Sequence, residues 1–169
     1  MIVFGIDPGS HNTGWGVLHS VGNQIKYIDS GVIRTKKDAP LSVRIDKIFD
    51  ELMSNMENHK PDRICLESIF HHKSARSALV LGHARGVALL AARRCSEADI
   101  HEISPAEVKK AVTGHGRADK KQVQAMIRVL LGLQETPPAD AADALAVAIA
   151  GATRIRSGLP EPLKVGRTT

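Results

Sequence analysis

The sequence predicts a mixed α/β fold, in which a five-stranded sheet is flanked by helices. Two neighbouring segments of strand character are joined by a short turn, which indicates an antiparallel hairpin. The later strand candidates are separated by segments of helical periodicity, which is the pattern of parallel strands joined by crossover helices. The order is therefore strand, strand, strand, helix, strand, helix, strand and then helices. Such an order places an antiparallel hairpin beside parallel crossovers.

The predicted strands are short and are bounded by turn residues. The first is an apolar run that ends at Asp7, before Pro8 and Gly9. The second and third are joined across residues 21–23, which predicts the hairpin. The five strands cover residues 2–7, 14–20, 24–35, 63–67 and 99–103.

The predicted helices follow from apolar spacing and from helix-start signals. Residues 40–59 and 74–94 form the first two. The segment Ser104-Pro105-Ala106-Glu107 is a capping box with Pro at the first helical position, and it opens the third. Asp119 opens the fourth in a similar way and Gly132 ends it. The last helix covers residues 139–150.

The composition is typical of one globular domain. The chain has 169 residues, of which 43% are hydrophobic and 24% charged, so it is long enough for a full core. No apolar run approaches the ~20 residues of a membrane span, and the N-terminus shows no signal-peptide pattern. Cys65 and Cys95 have no metal-ligand or redox spacing, so we expect reduced thiols and a cytoplasmic protein. We expect one domain over residues 1–156 and a mobile basic tail over residues 157–169.

The charge distribution suggests a metal site that acts on a polyanionic substrate. The net charge is +5 and the pI is near 9.4, which permits nucleic-acid binding without proving it. The lysines and arginines lie in loops, at helix starts and in the tail. Four acids lie instead in apolar surroundings, and these are Asp7, Glu67, Asp140 and Asp143.

The last helix carries two of these acids on an otherwise apolar surface. Asp140 and Asp143 are three residues apart, so they share one face of the helix. Asp140 lies in the first turn, where an acid complements the helix dipole. Asp143 is harder to explain, because a buried carboxylate costs several kcal/mol unless a cation or donors meet it. The pair is interpreted as metal ligands, with a helix-start acid plus a structural ion pair as the alternative.

The other two acids, Asp7 and Glu67, each end a short apolar strand. A helix lies between those strands, so they can pair in parallel and bring both acids to one sheet edge, where open α/β sheets bind ligands. Four carboxylates gathered there would repel one another without a cation, and all-oxygen ligands select Mg²⁺ or Mn²⁺. Asp7 as a turn residue and Glu67 as a partner of Lys or Arg are the alternatives.

Long segments of the chain resemble the RuvC Holliday-junction resolvase family, which has a ribonuclease H-like fold. The similarity runs from Ile6 to about Ala150. It rests on the segments G-I-D-P-G-S with T-G-W-G-V, C-L-E-S-I-F, A-L-V-L-G-H-A-R-G-V-A (residues 78–88) and A-D-A-A-D-A-L-A-V-A-I.

The resemblance implies a structure-selective DNA endonuclease, which resolves four-way junctions by paired metal-dependent nicks in recombination and DNA repair. The four acids would hold divalent metal and cut DNA, with two Mg²⁺ ions per site and Mn²⁺ as a substitute. Lys109 and Lys120 match basic positions near the family's active site. A lysine at a helix start opposes the dipole, so Lys120 suggests a bound anion, and a solvated surface lysine is the alternative for both.

Weaker phosphate-contact candidates surround these two lysines, namely Lys110, Lys121, His115 and Arg117. Phe70 lies in the polar, basic loop of residues 70–73, although only 3% of the residues are aromatic. The family uses an aromatic here to stack on bases or wedge between them, and a hydrophobic staple onto the next helix is the alternative. His71, His72 and Lys73 are the remaining DNA-contact candidates.

The symmetry of the substrate suggests a homodimer. A four-way junction needs two opposed strands nicked and one domain carries one site, so a C2 dimer is the simplest solution. Gly82 and Gly86 are four residues apart on one helix face, which indicates a close packing partner, and we expect this face at the interface. RuvA and RuvB are implied as partners by the resemblance alone.

Three other functions are compatible with parts of the sequence. The segment G-I-D-P-G also resembles the phosphate loop of actin-like and sugar-kinase ATPases, but those enzymes need two lobes and a second phosphate loop. A related nuclease of the pre-ribosomal-RNA-processing type would act on RNA. A non-catalytic DNA-binding module would not need the four acids.

Overall fold

The chain forms a three-layer α/β structure with the sheet in the middle. The computed structural model describes residues 1–68, 74–95 and 97–156. The strands are β1 (Ile2–Asp7), β2 (Asn12–Val21), β3 (Gln24–Arg34), β4 (Arg63–Glu67) and β5 (Asp99–Ile103). The helices are α1 (Leu41–His59), α2 (Ala75–Cys95), α3 (Pro105–Thr113), α4 (Lys120–Leu130) and α5 (Ala139–Arg156).

The sheet has the strand order β3-β2-β1-β4-β5. The strands β1, β2 and β3 pair in antiparallel fashion, whereas β4 pairs in parallel with both β1 and β5. Gly22 has a φ of +54°, which suits the tight turn of the β2–β3 hairpin. The predicted mixed sheet of five strands flanked by helices is confirmed.

Two elements extend beyond the predicted bounds by two or more residues at one end. β2 begins at Asn12, because Asn12 and Thr13 still pair with β3. α5 continues past Gly151 to Arg156. A Cβ atom on Gly151 would clash with the Cys65 Sγ atom, so this glycine allows the helix to approach β4 and does not end it.

The alternation of side chains along β1 divides the core in two. Phe4 and Ile6 pack against α1 and α2, whereas Val3 packs with α3, α4 and α5 on the other face. Successive side chains of a strand point to opposite faces. Asp7 therefore belongs to the α5 face of the sheet.

Glycines let α5 pack closely on the sheet. A Cβ atom on Gly5 would lie 2.7 Å from the backbone nitrogen of Ala148, and one on Gly16 would lie 2.7 Å from Leu145 Cδ2. Both distances are shorter than real Cβ atoms show, so larger residues would force the helix away. The small side chains of α5 complete this contact, which explains why so apolar a helix is rich in Ala.

The glycine face of α2 has no such partner within the described ranges. A Cβ atom on Gly82 or Gly86 would meet nothing within 4 Å. The helix instead buries its other side, through Ala84, Ala88, Ala91 and Ala92. The predicted close partner is therefore not supplied by these parts of the same chain.

In the described residues, no helix is long and apolar enough to cross a bilayer. The predicted tail, residues 157–169, lies outside the described residues, as do Phe70, His71, His72 and Lys73.

Candidate active site

Asp7 and Glu67 lie side by side at the carboxyl edge of the sheet. β1 and β4 are parallel, with Ile6 opposite Leu66, so the next residue of each strand is one of the two acids. Both follow a residue that points away from α5, and alternation therefore turns both carboxylates toward that helix. The parallel pairing predicted from the sequence explains how residues 60 positions apart become neighbours.

The first turns of α5 bring Asp140 and Asp143 to the same place. The pKa of Asp7 is raised to about 8, mainly because the side chain is buried. The negative charges of Glu67, Asp143 and, more weakly, Asp140 act in the same direction. The four predicted acids therefore share one electrostatic environment, although they come from three separate elements.

Glu67 completes the cluster, and its carboxyl group beside Asp7 raises the pKa of Asp7. Two adjacent carboxylates repel each other, and the repulsion is relieved when one of them takes up a proton. Burial raises the pKa of Glu67 above its usual range, and the charge of Asp143 adds to this effect. The cluster thus retains protons where isolated acids would be ionised, because its negative charge is not neutralised in full.

Lys120 is in direct contact with the cluster. It is the first residue of α4, which begins with a capping box between Asp119 and Gln122. Its Nζ atom donates a 2.6 Å hydrogen bond to Oδ2 of Asp143. The bond to Asp143 raises the pKa of Lys120. The structural ion pair named above as an alternative for Asp143 is therefore present, and it is open to solvent because the lysine side chain is 59% exposed.

Lys109 lines a small cavity beside the acids. The cavity has a volume of about 180 Å³ and is bounded by α3, α4, α5 and the end of β4. Its charged lining residues are Glu67, Lys109, Lys120 and Asp143. Both lysines lower the pKa of Glu67 by their charge. The sequence predicts both lysines at the site, and both line this cavity.

The donor set suits a hard divalent cation. Four carboxylates are the oxygen ligands that Mg²⁺ and Mn²⁺ prefer, and the raised pKa values show the cost of gathering them without one. Within the described ranges, no three His, Cys, Asp or Glu side chains are arranged as ligands of a single ion. The residues fit a metal in chemistry and location, and at Asp143 a metal would meet the positive charge of Lys120.

The turn that follows Asp7 is braced by residues that sequence reasoning did not assign. Thr13 is 1% exposed, and its hydroxyl donates to the carbonyl oxygen of Gly9 at 2.7 Å. Arg44 of α1 donates from Nη1 to the carbonyl oxygen of Ser10 at 3.2 Å. Thr13 belongs to the segment T-G-W-G-V, so its sequence context marked the position without indicating this role.

The weaker phosphate-contact candidates do not touch the acids. Lys110 is on the other side of α3, where it lines a separate cavity with Glu107 and Arg154. His115 is exposed, and its Nδ1 atom lies 2.8 Å from the carbonyl oxygen of Thr113. Arg117 and Lys121 are exposed on the α3–α4 side of the molecule. Phe70, His71, His72 and Lys73 lie outside the described residues.

The chain is similar to several known proteins that share one name. A protein-family model described as "Crossover junction endodeoxyribonuclease RuvC" matches residues 3–151. The protein of that name from Desulforamulus reducens is 48% identical over 150 residues, which are 88% of this chain and 91% of that protein. The protein of the same name from Legionella pneumophila strain Corby is 47% identical over 158 residues, covering 94% and 90% of the two chains.

A solved structure with the same protein name also matches the fold of this chain. Thermus thermophilus RuvC in complex with Holliday junction substrate superposes with a TM-score of 0.89 at 33% identity, covering 96% of this chain and 99% of that one.

Proposed function

The chain belongs to the RuvC family of crossover junction endodeoxyribonucleases, and from this premise we propose how its residues cut DNA. It is a nuclease with a ribonuclease H-like fold, and it resolves four-way (Holliday) junctions in DNA recombination and repair. The family is metal-dependent. The proposal rests on one observation, the convergence of the half-buried acids Asp7, Glu67, Asp140 and Asp143 on a single cluster.

These four carboxylates would hold two Mg²⁺ ions, for which Mn²⁺ would substitute. When bound, such ions supply an activated water for in-line attack on the phosphorus and stabilise the leaving 3′ oxygen. The protein's contribution is position. Asp7 and Glu67 stand on adjacent hydrogen-bonded strands, and α5 is packed rigidly on the same sheet. The products would carry 5′-phosphate and 3′-hydroxyl ends.

Lys109 and Lys120 would serve the scissile phosphate. Both line the cavity beside the acids, and their charges would offset the negative charge that a phosphodiester brings to four carboxylates. We assign them catalytic roles in orienting and neutralising this phosphate. Lys110, His115, Arg117 and Lys121 would contact more distant phosphates, since none of them reaches the acids in the described structure.

Phe70, His71, His72 and Lys73 would act on the junction itself. They follow Glu67 within six residues of the sequence, and the family resemblance assigns this segment to DNA contact. Phe70 would stack on bases at the crossover or unstack them. The neighbouring basic side chains would hold the phosphates on either side.

A homodimer would provide the second site that paired nicks require. The glycine face of α2 lines an open apolar groove with Leu79, Val87 and Leu90. Leu79 is 66% exposed and Leu90 is 49% exposed, which is a cost for an isolated chain. A second copy that packs its own α2 against this face would cover both. RuvA and RuvB as partners follow from the family resemblance, and a cytoplasmic location follows from the cysteine usage; both stay predictions.

The test uses wild-type protein and Asp7→Asn on four substrates: a mobile four-way junction, a linear duplex, a structured RNA and ATP, each with Mg²⁺ or EDTA. We expect the wild type to nick only the junction and only with Mg²⁺. Asp7→Asn should bind the junction with unchanged affinity and not cut it. Asp46→Asn, an exposed acid of α1, is the matched control and should cut normally. Robust cutting by Asp7→Asn in Mg²⁺ would refute the assignment of the acids.

A further inference from the structure

Lys120 contacts an acid that is assigned as a metal ligand, and that assignment alone does not explain the contact. Its ammonium group is bonded to Asp143 at 2.6 Å, and Asp143 is one of the four acids that would hold the ions. While the lysine stays in place, it occupies a lone pair of Oδ2, and its positive charge repels a divalent ion at the same carboxylate. The Lys120 ammonium group is therefore a cation bound at the acid cluster.

The whole cluster, and not Asp143 alone, favours the charge on Lys120. Its pKa is raised by the hydrogen bond to Asp143 and, at longer range, by the charges of Asp140 and Asp7. A cation in the first turn of a helix opposes the helix dipole, so α4 itself does not explain this placement. The attraction of the acids does.

We propose that Lys120 is a resident counter-ion that competes with the divalent metal for Asp143 and is released when the metal binds. This inference rests on the metal site proposed above. The released ammonium group, on a side chain that is 59% exposed, is then free to turn to the phosphate of the DNA. The protein would thus neutralise its acids without metal and transfer that charge to the substrate with metal.

Lys109 provides a matched comparison in the same cavity. Like Lys120 it lowers the pKa of Glu67 by its charge, and like Lys120 it lines the cavity. Within the described ranges, however, Lys109 has no carboxylate at ion-pair distance. General electrostatics predicts that removing either charge strengthens cation binding to a similar extent. Direct competition predicts a large effect at Lys120 alone.

The experiment measures Mn²⁺ binding by the full-length protein without DNA, using the electron paramagnetic resonance signal of free Mn²⁺. The variants are Lys120→Met, Lys120→Arg and Lys109→Met. We expect Lys120→Met to lower the Kd for Mn²⁺ about fivefold, which is the factor that an open ion pair of ~1 kcal/mol contributes. Lys109→Met should change it less than about twofold, and Lys120→Arg should keep the wild-type value because the competing charge remains.

Each other outcome identifies which proposal fails. An unchanged or weaker Mn²⁺ affinity in Lys120→Met, or an equal gain in Lys109→Met, overturns the competition. If the wild type and all variants fail to bind Mn²⁺, the metal site itself is refuted and the competition with it.

Thermal unfolding provides a second measurement. In EDTA, Lys120→Met should unfold at a lower temperature than the wild type, and Mn²⁺ should raise its melting temperature by more. An EDTA melting temperature equal to that of the wild type would also count against the resident counter-ion.

Discussion

Gly14 of β2 lies directly beneath Asp140 of α5, so closely that a Cβ atom on Gly14 would clash with the Asp140 carbonyl oxygen. Gly14 is also the pairing partner of Asp7 in the β1–β2 ladder. The first turn of α5 therefore packs on the β1–β2 strand pair at the level of Asp7. This contact determines how far the two helix acids stand from the two strand acids.

Gly14→Ala should separate the acids without removing any of them. The added methyl group pushes the first turn of α5 away from the sheet, and misplacing a catalytic group by ~1 Å can cost about 100-fold in rate. We expect junction cleavage to fall more than about tenfold, with junction affinity within about threefold of the wild type. Quantitative cleavage and binding assays on the same junction would measure both.

Gly116→Ala serves as the control for that substitution. A Cβ atom there would meet its nearest neighbour at 3.5 Å, an ordinary contact. This variant should cut normally. Wild-type cleavage by Gly14→Ala as well would mean that α5 is not held in place by this contact.

Asp7→Asn should change how stability depends on pH in the absence of metal. The pKa of Asp7 is raised to about 8 in the folded protein, from about 3.9 for an unfolded Asp. Between these values the folded state holds a proton that the unfolded state has lost, so stability falls as pH rises from about 4 to about 8. Asn has no such proton, so the variant should be more stable than the wild type at pH 8, by about 2 to 5 kcal/mol.

Urea unfolding at pH 5 and at pH 8, in EDTA, would measure this difference. The gain should be small at pH 5 and large at pH 8. It should shrink in Mg²⁺, because bound cations replace the proton in stabilising the wild-type acids. An equal gain at both pH values would indicate that the Asp7 carboxyl group does not hold its proton as described.

Leu79→Glu should dissociate the proposed dimer. Leu79 is 66% exposed on the glycine face of α2, and a buried unpaired charge at an interface costs about 3 to 5 kcal/mol. The dimer Kd should therefore rise by a factor of at least about 100. Sedimentation would show a dimer for the wild type and a monomer for the variant at micromolar concentration.

Val129→Glu is the matched control, because Val129 is 69% exposed on α4, away from this groove. It should leave the dimer intact. A wild-type protein that sediments as a monomer would refute the dimer.

Phe70→Ala should weaken the distortion of the junction. An aromatic wedge unstacks bases, and 2-aminopurine placed at the crossover becomes brighter when it is unstacked. We expect a smaller fluorescence increase on binding, with affinity lowered by less than about tenfold, since stacking of one base is worth ~1–3 kcal/mol by alanine substitution. A full fluorescence change would favour the staple onto α2 as the role of Phe70.

Most of the secondary structure could be predicted from the sequence, because its signals are local. The capping boxes at Ser104 and Asp119 are both formed as predicted. The end of α5 could not be predicted, since Gly151 is a helix breaker in isolation and a packing residue against Cys65 in the fold. Gly82 and Gly86 of α2 predict a close packing partner, but the sequence does not show whether that partner belongs to the same chain.

The sequence by itself determined which residues are available for chemistry: four acids in apolar surroundings, each at the end of an element, and a basic surface around them. Residue type, periodicity and burial are local properties, so they can be read from the chain. Only the tertiary structure decided that Asp7 lies beside Glu67 and that Lys120 pairs with Asp143. Those relations depend on how β1, β4, α4 and α5 pack, and packing distances between remote segments are set by the fit of whole surfaces.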